Sequence, residues 1–125
     1  MIQEYGKEMS KQDLYRGRNF EYRIVYRARK RGLNSYRIVL SGAGEEKGDI
    51  VIEDRKYECK YRSDGFKELC DWFEKAQREG CKGVILKVKG RKKDLIILDI
   101  DDYLSLLEEC KLHRNAVITP RNTES

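Results

Sequence analysis

The residues best suited to chemistry in this sequence are two carboxylates and an amine within GDIVIEDRKYECK, residues 48–60. Side chains alternate across a β-strand, so Glu58 and Lys60 are predicted to project from one face and Cys59 from the other. In a tight hairpin, Asp49 lies across from the strand end that carries Glu58 and Lys60. The pattern therefore predicts that two carboxylates and an amine converge at one end of a hairpin.

Two converging carboxylates repel each other unless a cation lies between them. Carboxylate oxygens suit Mg²⁺ or Mn²⁺, and such an ion lowers the pKa of a bound water and neutralises charge on a phosphodiester. A nearby lysine can position or activate the attacking water, so the pattern favours metal-assisted phosphodiester hydrolysis. The alternative is that Asp49 is a turn residue and that Glu58 and Lys60 form a solvated ion pair, which is nearly neutral in energy.

The elements that must position these residues follow from hydrophobic periodicity. A helix is predicted from Asp13, with Phe20, Ile24 and Ala28 repeating every fourth position and Gly32 as its stop. The next elements are a strand at 36–40, a hairpin of 49–53 and 56–61 that turns at 54–55, and a helix at 64–79 with Ser63 or Asp64 as its N-cap. A hairpin of 83–88 and 94–100 and a helix at 101–111 follow.

This order predicts an α/β fold, a single domain in which a central mixed β-sheet is flanked by helices. The 125 residues suffice for one domain with a modest core. We expect a flexible N-terminal arm at 1–12, the folded domain at 13–112 and a flexible C-terminal tail at 113–125.

Charge, cysteine content and the length of apolar runs indicate which kinds of binding partner and metal site the chain favours. The chain has 27 Lys and Arg against 22 Asp and Glu, a net charge of +5, which fits a polyanionic partner. Its 4 Cys show no CxxC spacing and it has 1 His, which argues against a structural zinc site. Cys59 and Cys70 are predicted to be small, reduced core residues, which favours an intracellular setting. No apolar run has the length of a membrane span or the pattern of a signal peptide, so we expect a cytoplasmic protein.

The hairpin resembles a known nuclease signature. Asp49, followed after IVIEDRKY by Glu58, Cys59 and Lys60, is similar to the PD-(D/E)xK motif, with Gly48 where the nominal proline of that superfamily stands. Three further segments resemble the archaeal-type Holliday junction resolvases, and the similarity runs from about residue 17 to residue 103. They are GRNFEYRIV at 17–25, LSGAGEEKGDIV at 40–51 and KGVILKVKGRKKDLIILDI at 82–100.

The resemblance implies a restriction-endonuclease-like fold and a metal-dependent homodimeric endonuclease that cuts four-way DNA junctions. It maps the helix glutamate of that group to Glu21 and a serine to Ser41. The implied mechanism has Lys60 positioning water, while one or two Mg²⁺ or Mn²⁺ ions are held by Glu21, Asp49, Glu58 and the backbone carbonyl of Cys59. Alternatively, Glu21 is solvated or lies at the margin of the buried stripe, and Ser41 is only a turn-former.

Basic side chains are predicted to contact DNA phosphates without reading bases. The predicted DNA-binding residues are Arg16, Arg18, Arg23, Lys47, Arg62, Lys89, Arg91, Lys92 and Lys93. The alternative for each is a solvated surface charge. Three tyrosines, Tyr22, Tyr26 and Tyr36, are predicted to pack or to form dimer contacts, with stacking on exposed bases as the alternative.

Two other functions stay open at this point. The same site would serve a nuclease that acts on linear duplex, other branched DNA or single strands. A basic DNA-binding module with structural carboxylates would carry the same charge pattern without cleaving anything.

Overall fold

The computed structural model describes residues 11–38 and 49–118, without the side chains of residues 13, 14, 49, 117 and 118. The elements in chain order are α1 (Lys11–Lys30), β1 (Ser35–Arg37), β2 (Asp49–Ile52), β3 (Arg55–Glu58), α2 (Lys67–Arg78), β4 (Gly83–Lys87), β5 (Asp94–Leu98) and α3 (Ile100–Ile118). The mixed α/β class and the order of helices and hairpins are confirmed.

Strand pairing differs from the predicted single mixed sheet. The chain divides into two compact units, 1–61 and 62–125. Within the described ranges, the first unit holds an antiparallel sheet in the order β1-β2-β3, and the second holds the antiparallel pair β4-β5. Short turns close antiparallel pairs locally, whereas a parallel pair needs a long crossover. The restriction-endonuclease-like arrangement stays a prediction.

The core of the first unit lies between α1 and its sheet. Ile24, Val25 and Ala28 form the buried stripe of α1, which packs on β1 and β2. Ile50 and Ile52 are buried on β2, and each such side chain contributes about 1.5–3 kcal/mol relative to an exposed one. This packing holds β2 against the helix and thereby fixes the hairpin that carries the candidate site.

The end of α1 agrees with the glycine stop that the sequence predicts. Gly32 has φ 81°, and its N–H donates to the Arg29 carbonyl at 2.9 Å. The N–H of Leu33 donates to the Ala28 carbonyl at 3.1 Å. This pair of bonds is the Schellman arrangement, which favours glycine at the left-handed position, and it directs the chain into β1.

The β2–β3 hairpin turns one residue earlier than predicted. Ile52 pairs with Arg55, so the turn residues are Glu53 and Asp54, with φ 50° and 69°. Two positive φ values in a two-residue loop are typical of a type I′ turn. Glu53 also exchanges bonds with Asn34 ahead of β1, donating from its N–H at 2.8 Å and accepting at Oε2 from the Asn34 N–H at 2.7 Å.

The second unit contains α2, which packs on β4, and α3. The helix α2 begins at Lys67, later than predicted, and neither Ser63 nor Asp64 caps it, because its N-cap is Phe66 without a side-chain cap bond. Cys70, predicted as a core residue, is exposed on α2.

The helix α3 continues to Ile118, beyond the predicted end at Lys111. It therefore includes the first residues of the segment that the sequence assigned to a tail. Leu104 is fully buried on this helix. No helix in the described ranges combines the length and apolarity that a membrane crossing requires.

Candidate active site

The strand register brings the two hairpin carboxylate residues opposite each other. Asp49 is the first residue of β2, Glu58 is the last residue of β3, and the two are direct partners in the antiparallel ladder. The tight turn at Glu53 and Asp54 sets this register, since it fixes which residues pair along both strands. The predicted position of Asp49 across from Glu58 is confirmed.

Glu58 and Lys60 form an ion pair at the surface. The Lys60 Nζ lies 3.5 Å from Glu58 Oε1, and the two side chains are 59% and 62% exposed for Glu58 and Lys60. An exposed pair of this kind contributes little to stability. Its geometry fits the alternative of a solvated ion pair, and it equally leaves a carboxylate and an amine open to a ligand.

Cys59 lies between these two residues and is half-buried. Tyr57 is also half-buried, whereas Glu58 is exposed. This order agrees with the alternation that the sequence predicted for the strand.

Glu21 is buried on α1 in an ion pair with β1. The Arg37 Nε donates to Glu21 Oε1 at 2.6 Å, and these side chains are only 9% and 7% exposed for Arg37 and Glu21. Arg37 also donates from Nη1 to the Tyr22 hydroxyl at 3.2 Å, with its guanidinium carbon 4.8 Å from the centre of the Tyr22 ring. Glu21 precedes Ile24, Val25 and Ala28 by three, four and seven residues, so it lies within the buried stripe and not at its margin. Its charge is paired there with Arg37.

The sheet separates Glu21 from Glu58. Arg37 pairs with Ile50, and Ile50 pairs with Tyr57, so these three residues lie on one face, which is the face toward α1. Glu58 follows Tyr57 along β3 and projects from the other face. The structure therefore does not bring Glu21 and Glu58 together.

This arrangement decides which predicted ligands suit a metal ion. The Glu21 carboxylate already has a buried guanidinium at 2.6 Å, so it does not fit the role of a ligand shared with Glu58. Asp49 and Glu58 remain a matched pair of carboxylate residues, a donor set that suits Mg²⁺ or Mn²⁺. Among the described side chains, no group of three His, Cys, Asp or Glu residues is placed to hold a metal.

The remaining predicted residues fall into two groups. Ser41 and Lys47 lie outside the described residues. Every predicted DNA-binding residue that is described is exposed. Those in the first unit are Arg16, Arg18 and Arg23, and those in the second unit are Arg62, Lys89, Arg91, Lys92 and Lys93.

Sequence reasoning missed Arg37. Its signal was a single charged residue within the apolar strand YRIVL, because a charge placed on a core-facing strand position needs a partner. Strand alternation places Arg37 on the same face as polar Ser35 and opposite apolar Ile38, so alternation alone would not have identified Arg37 as buried.

Comparison of the chain with models of protein families, with curated proteins and with solved structures finds no match.

Proposed function

We propose that this protein is a metal-dependent DNA endonuclease whose catalytic core is the end of the β2–β3 hairpin. The observation that carries the proposal is the register of Asp49 opposite Glu58, with the Lys60 Nζ 3.5 Å from the Glu58 carboxylate. Residues with like charge directly opposite each other destabilise an antiparallel pair. A cation bound between Asp49 and Glu58 would offset this repulsion, which gives the pairing of two acidic residues a functional explanation.

In this proposal, Asp49, Glu58 and the backbone carbonyl of Cys59 hold the ion. When bound, Mg²⁺ or Mn²⁺ supplies charge neutralisation at the phosphodiester and a water of lowered pKa. The Lys60 ammonium is exposed beside Glu58, where it would position the attacking water or stabilise charge that develops on the phosphate. Glu21 acts through its pair with Arg37, which joins α1 to β1, and not as a ligand.

The substrate part of the proposal rests on the resemblance to the resolvase group. It implies four-way DNA junctions as the substrate and a restriction-endonuclease-like fold. It also implies a homodimer whose two-fold axis would place its two active sites on opposing DNA strands of the junction. Exposed basic residues lie on α1 and in the segment 89–93 between β4 and β5. They support a DNA partner, since phosphate contacts need clustered positive charge.

Cleavage of a labelled four-way junction, compared with a linear duplex of the same sequence, tests the proposal. We expect Mg²⁺-dependent cutting of the junction that EDTA abolishes. Asp49→Asn and Glu58→Gln should each reduce the rate at least about 100-fold, because each removes charge from the proposed ion site. Glu68→Gln, which removes an exposed carboxylate from α2, is the matched control and should leave the rate unchanged.

Equal cutting of junction and duplex would instead favour a nuclease without junction preference. No cutting with Mg²⁺ or Mn²⁺, or equal rates in Glu58→Gln and Glu68→Gln, would remove the catalytic assignment.

A second candidate function is a non-catalytic DNA-binding module. The observation that favours it is that Glu21 and Glu58 both have cationic partners, Arg37 and Lys60 respectively. Carboxylates that neutralise neighbouring basic residues need no metal. Junction binding that persists in EDTA, together with the absence of cleavage, distinguishes this candidate from the first.

A further inference from the structure

The outward face of α1 combines exposed tyrosines with basic side chains. Tyr15, Tyr22 and Tyr26 are 63%, 55% and 60% exposed. They are separated by seven and then four residues, a spacing that aligns them along one face of a helix. The apolar stripe with Ile24 and Ala28 is buried on the other side. Tyr22 and Tyr26, which the sequence assigned first to packing or dimer contacts, thus present their rings to solvent.

Two of these rings already carry a cation. The Lys30 Nζ lies 5.3 Å from the centre of the Tyr26 ring, and the Arg37 guanidinium carbon lies 4.8 Å from that of Tyr22. A cation placed over an aromatic ring holds the ring in place and adds positive charge beside its exposed surface. Tyr26 therefore offers an ordered stacking surface next to the exposed Lys30 ammonium, which attracts phosphate. Tyr22 offers a stacking surface held in place by Arg37, whose charge is paired with Glu21.

The charge balance around this face is strongly one-sided. Between Tyr15 and Arg37, Glu21 is the single carboxylate, and it is buried against Arg37. The basic residues of the same segment are Arg16, Arg18, Arg23, Arg27, Arg29, Lys30, Arg31 and Arg37. A surface with this balance attracts a polyanion.

We infer that this face of α1, the tyrosine face, binds DNA with unpaired bases, which stack on Tyr22 and Tyr26 while neighbouring phosphates contact the basic side chains. Proteins that bind single strands combine these two features, a basic surface along the backbone and aromatic rings for the bases. The inference adds unpaired bases to the proposed junction substrate, and it rests on the proposed function for the choice of DNA.

Other occupants of the tyrosine face fit less well. In a two-fold dimer the same patch meets itself, so a contact through this face would bring the basic residues of both copies together. A membrane-surface helix needs an apolar face to enter the lipid, and the apolar stripe of α1 is packed on β1 and β2.

The test measures binding of a fluorescent oligothymidine by anisotropy, in EDTA so that no cleavage intervenes, against a duplex of equal length. We expect tighter binding of the single strand. Tyr26→Leu keeps an apolar side chain but removes the ring, and should raise the Kd about 5- to 100-fold. Tyr26→Phe keeps the ring and should stay within about twofold of wild type.

Trp72→Leu is the matched control, because Trp72 is an exposed aromatic residue on α2, 47% exposed and outside the tyrosine face. It should leave the Kd unchanged. Lys30→Gln should lower the slope of log Kd against log salt by about 0.7, the value for one phosphate contact to a single strand. Circular dichroism melting checks that each variant is folded.

Three results would overturn the inference: equal affinity for single strand and duplex, equal Kd values for Tyr26→Leu and Trp72→Leu, or binding to vesicles with anionic headgroups that oligothymidine does not compete away.

The binding measurement in EDTA also separates this inference from the catalytic proposal. Binding in EDTA that depends on Tyr26, without cleavage in Mg²⁺, would retain the tyrosine face and reject the catalytic core. Cleavage that depends on Glu58 without any effect of Tyr26→Leu would do the reverse.

Discussion

At the scale of single residues, Arg37 determines what Glu21 does. Both side chains are almost fully buried, so either one without the other is a buried charge without compensation. Removal of one partner from a buried pair costs several kcal/mol, whereas replacement of both by apolar residues is often close to neutral. The pair therefore joins α1 to β1, and the protein loses stability mainly when only one of the two residues is replaced.

We predict that Glu21→Ala lowers the free energy of unfolding by about 3 kcal/mol, and that the double change Glu21→Met with Arg37→Met loses less than either residue changed alone to Ala. Urea denaturation followed by circular dichroism measures both. If Glu21→Ala has wild-type stability but no longer responds to Mn²⁺, Glu21 is a metal ligand and the assignment made from its contacts is wrong.

Ser35 gives a second prediction at this scale. The residue is buried, and its Oγ has no hydrogen-bond partner among the described residues. A buried hydroxyl without a partner destabilises the folded state, because it loses its bonds to water. Ser35→Ala should therefore raise the free energy of unfolding by about 1 kcal/mol. Ser63→Ala, at an exposed position, serves as the control, and a loss of stability in Ser35→Ala would show that the hydroxyl does have a partner.

At the scale of elements, the β2–β3 turn sets the candidate site. Asp54 has φ 69°, a left-handed conformation that costs about 1–2 kcal/mol for a residue with a side chain. Type I′ turns favour glycine at this second position. Asp54→Gly should thus stabilise the protein by about 0.5–1 kcal/mol while keeping the Asp49–Glu58 register.

Thermal denaturation measures the effect of Asp54→Gly. The matched variant is Arg55→Gly, one residue further along, where the backbone belongs to β3 and glycine should destabilise the strand. A destabilised Asp54→Gly protein would mean that the Asp54 side chain contributes more than its backbone conformation costs.

The same hairpin shows what the sequence can and cannot predict. Alternation and a tight turn are local properties, so the hairpin and the pairing of Asp49 with Glu58 followed from the sequence. The role of Glu21 did not, because it depends on Arg37, a residue of another element. The pairing of strands into two sheets likewise depends on contacts between distant segments, which periodicity does not encode.

At the scale of the whole molecule, metal binding and stability are linked. An ion that binds the folded chain and not the unfolded chain stabilises it by about 2.7 kcal/mol at a concentration of 100 times its Kd. Asp49 and Glu58 acquire their pairing only when the hairpin forms, so the proposed site exists in the folded state alone. Added Mn²⁺ should therefore raise the melting temperature of the wild-type protein.

This rise should be absent in Glu58→Gln and present in Glu68→Gln and in Glu21→Gln, all measured by differential scanning fluorimetry over a range of Mn²⁺ concentrations. Glu58 is exposed, so in the absence of metal its replacement should change the melting temperature very little. The difference between Glu58→Gln and the other variants in Mn²⁺ therefore reports metal binding directly. Glu21→Gln should start from a lower melting temperature and still rise, since its carboxylate lies on the other face of the sheet. A rise that persists in Glu58→Gln would move the ion away from the hairpin, and the catalytic core would then have to be sought elsewhere in the chain.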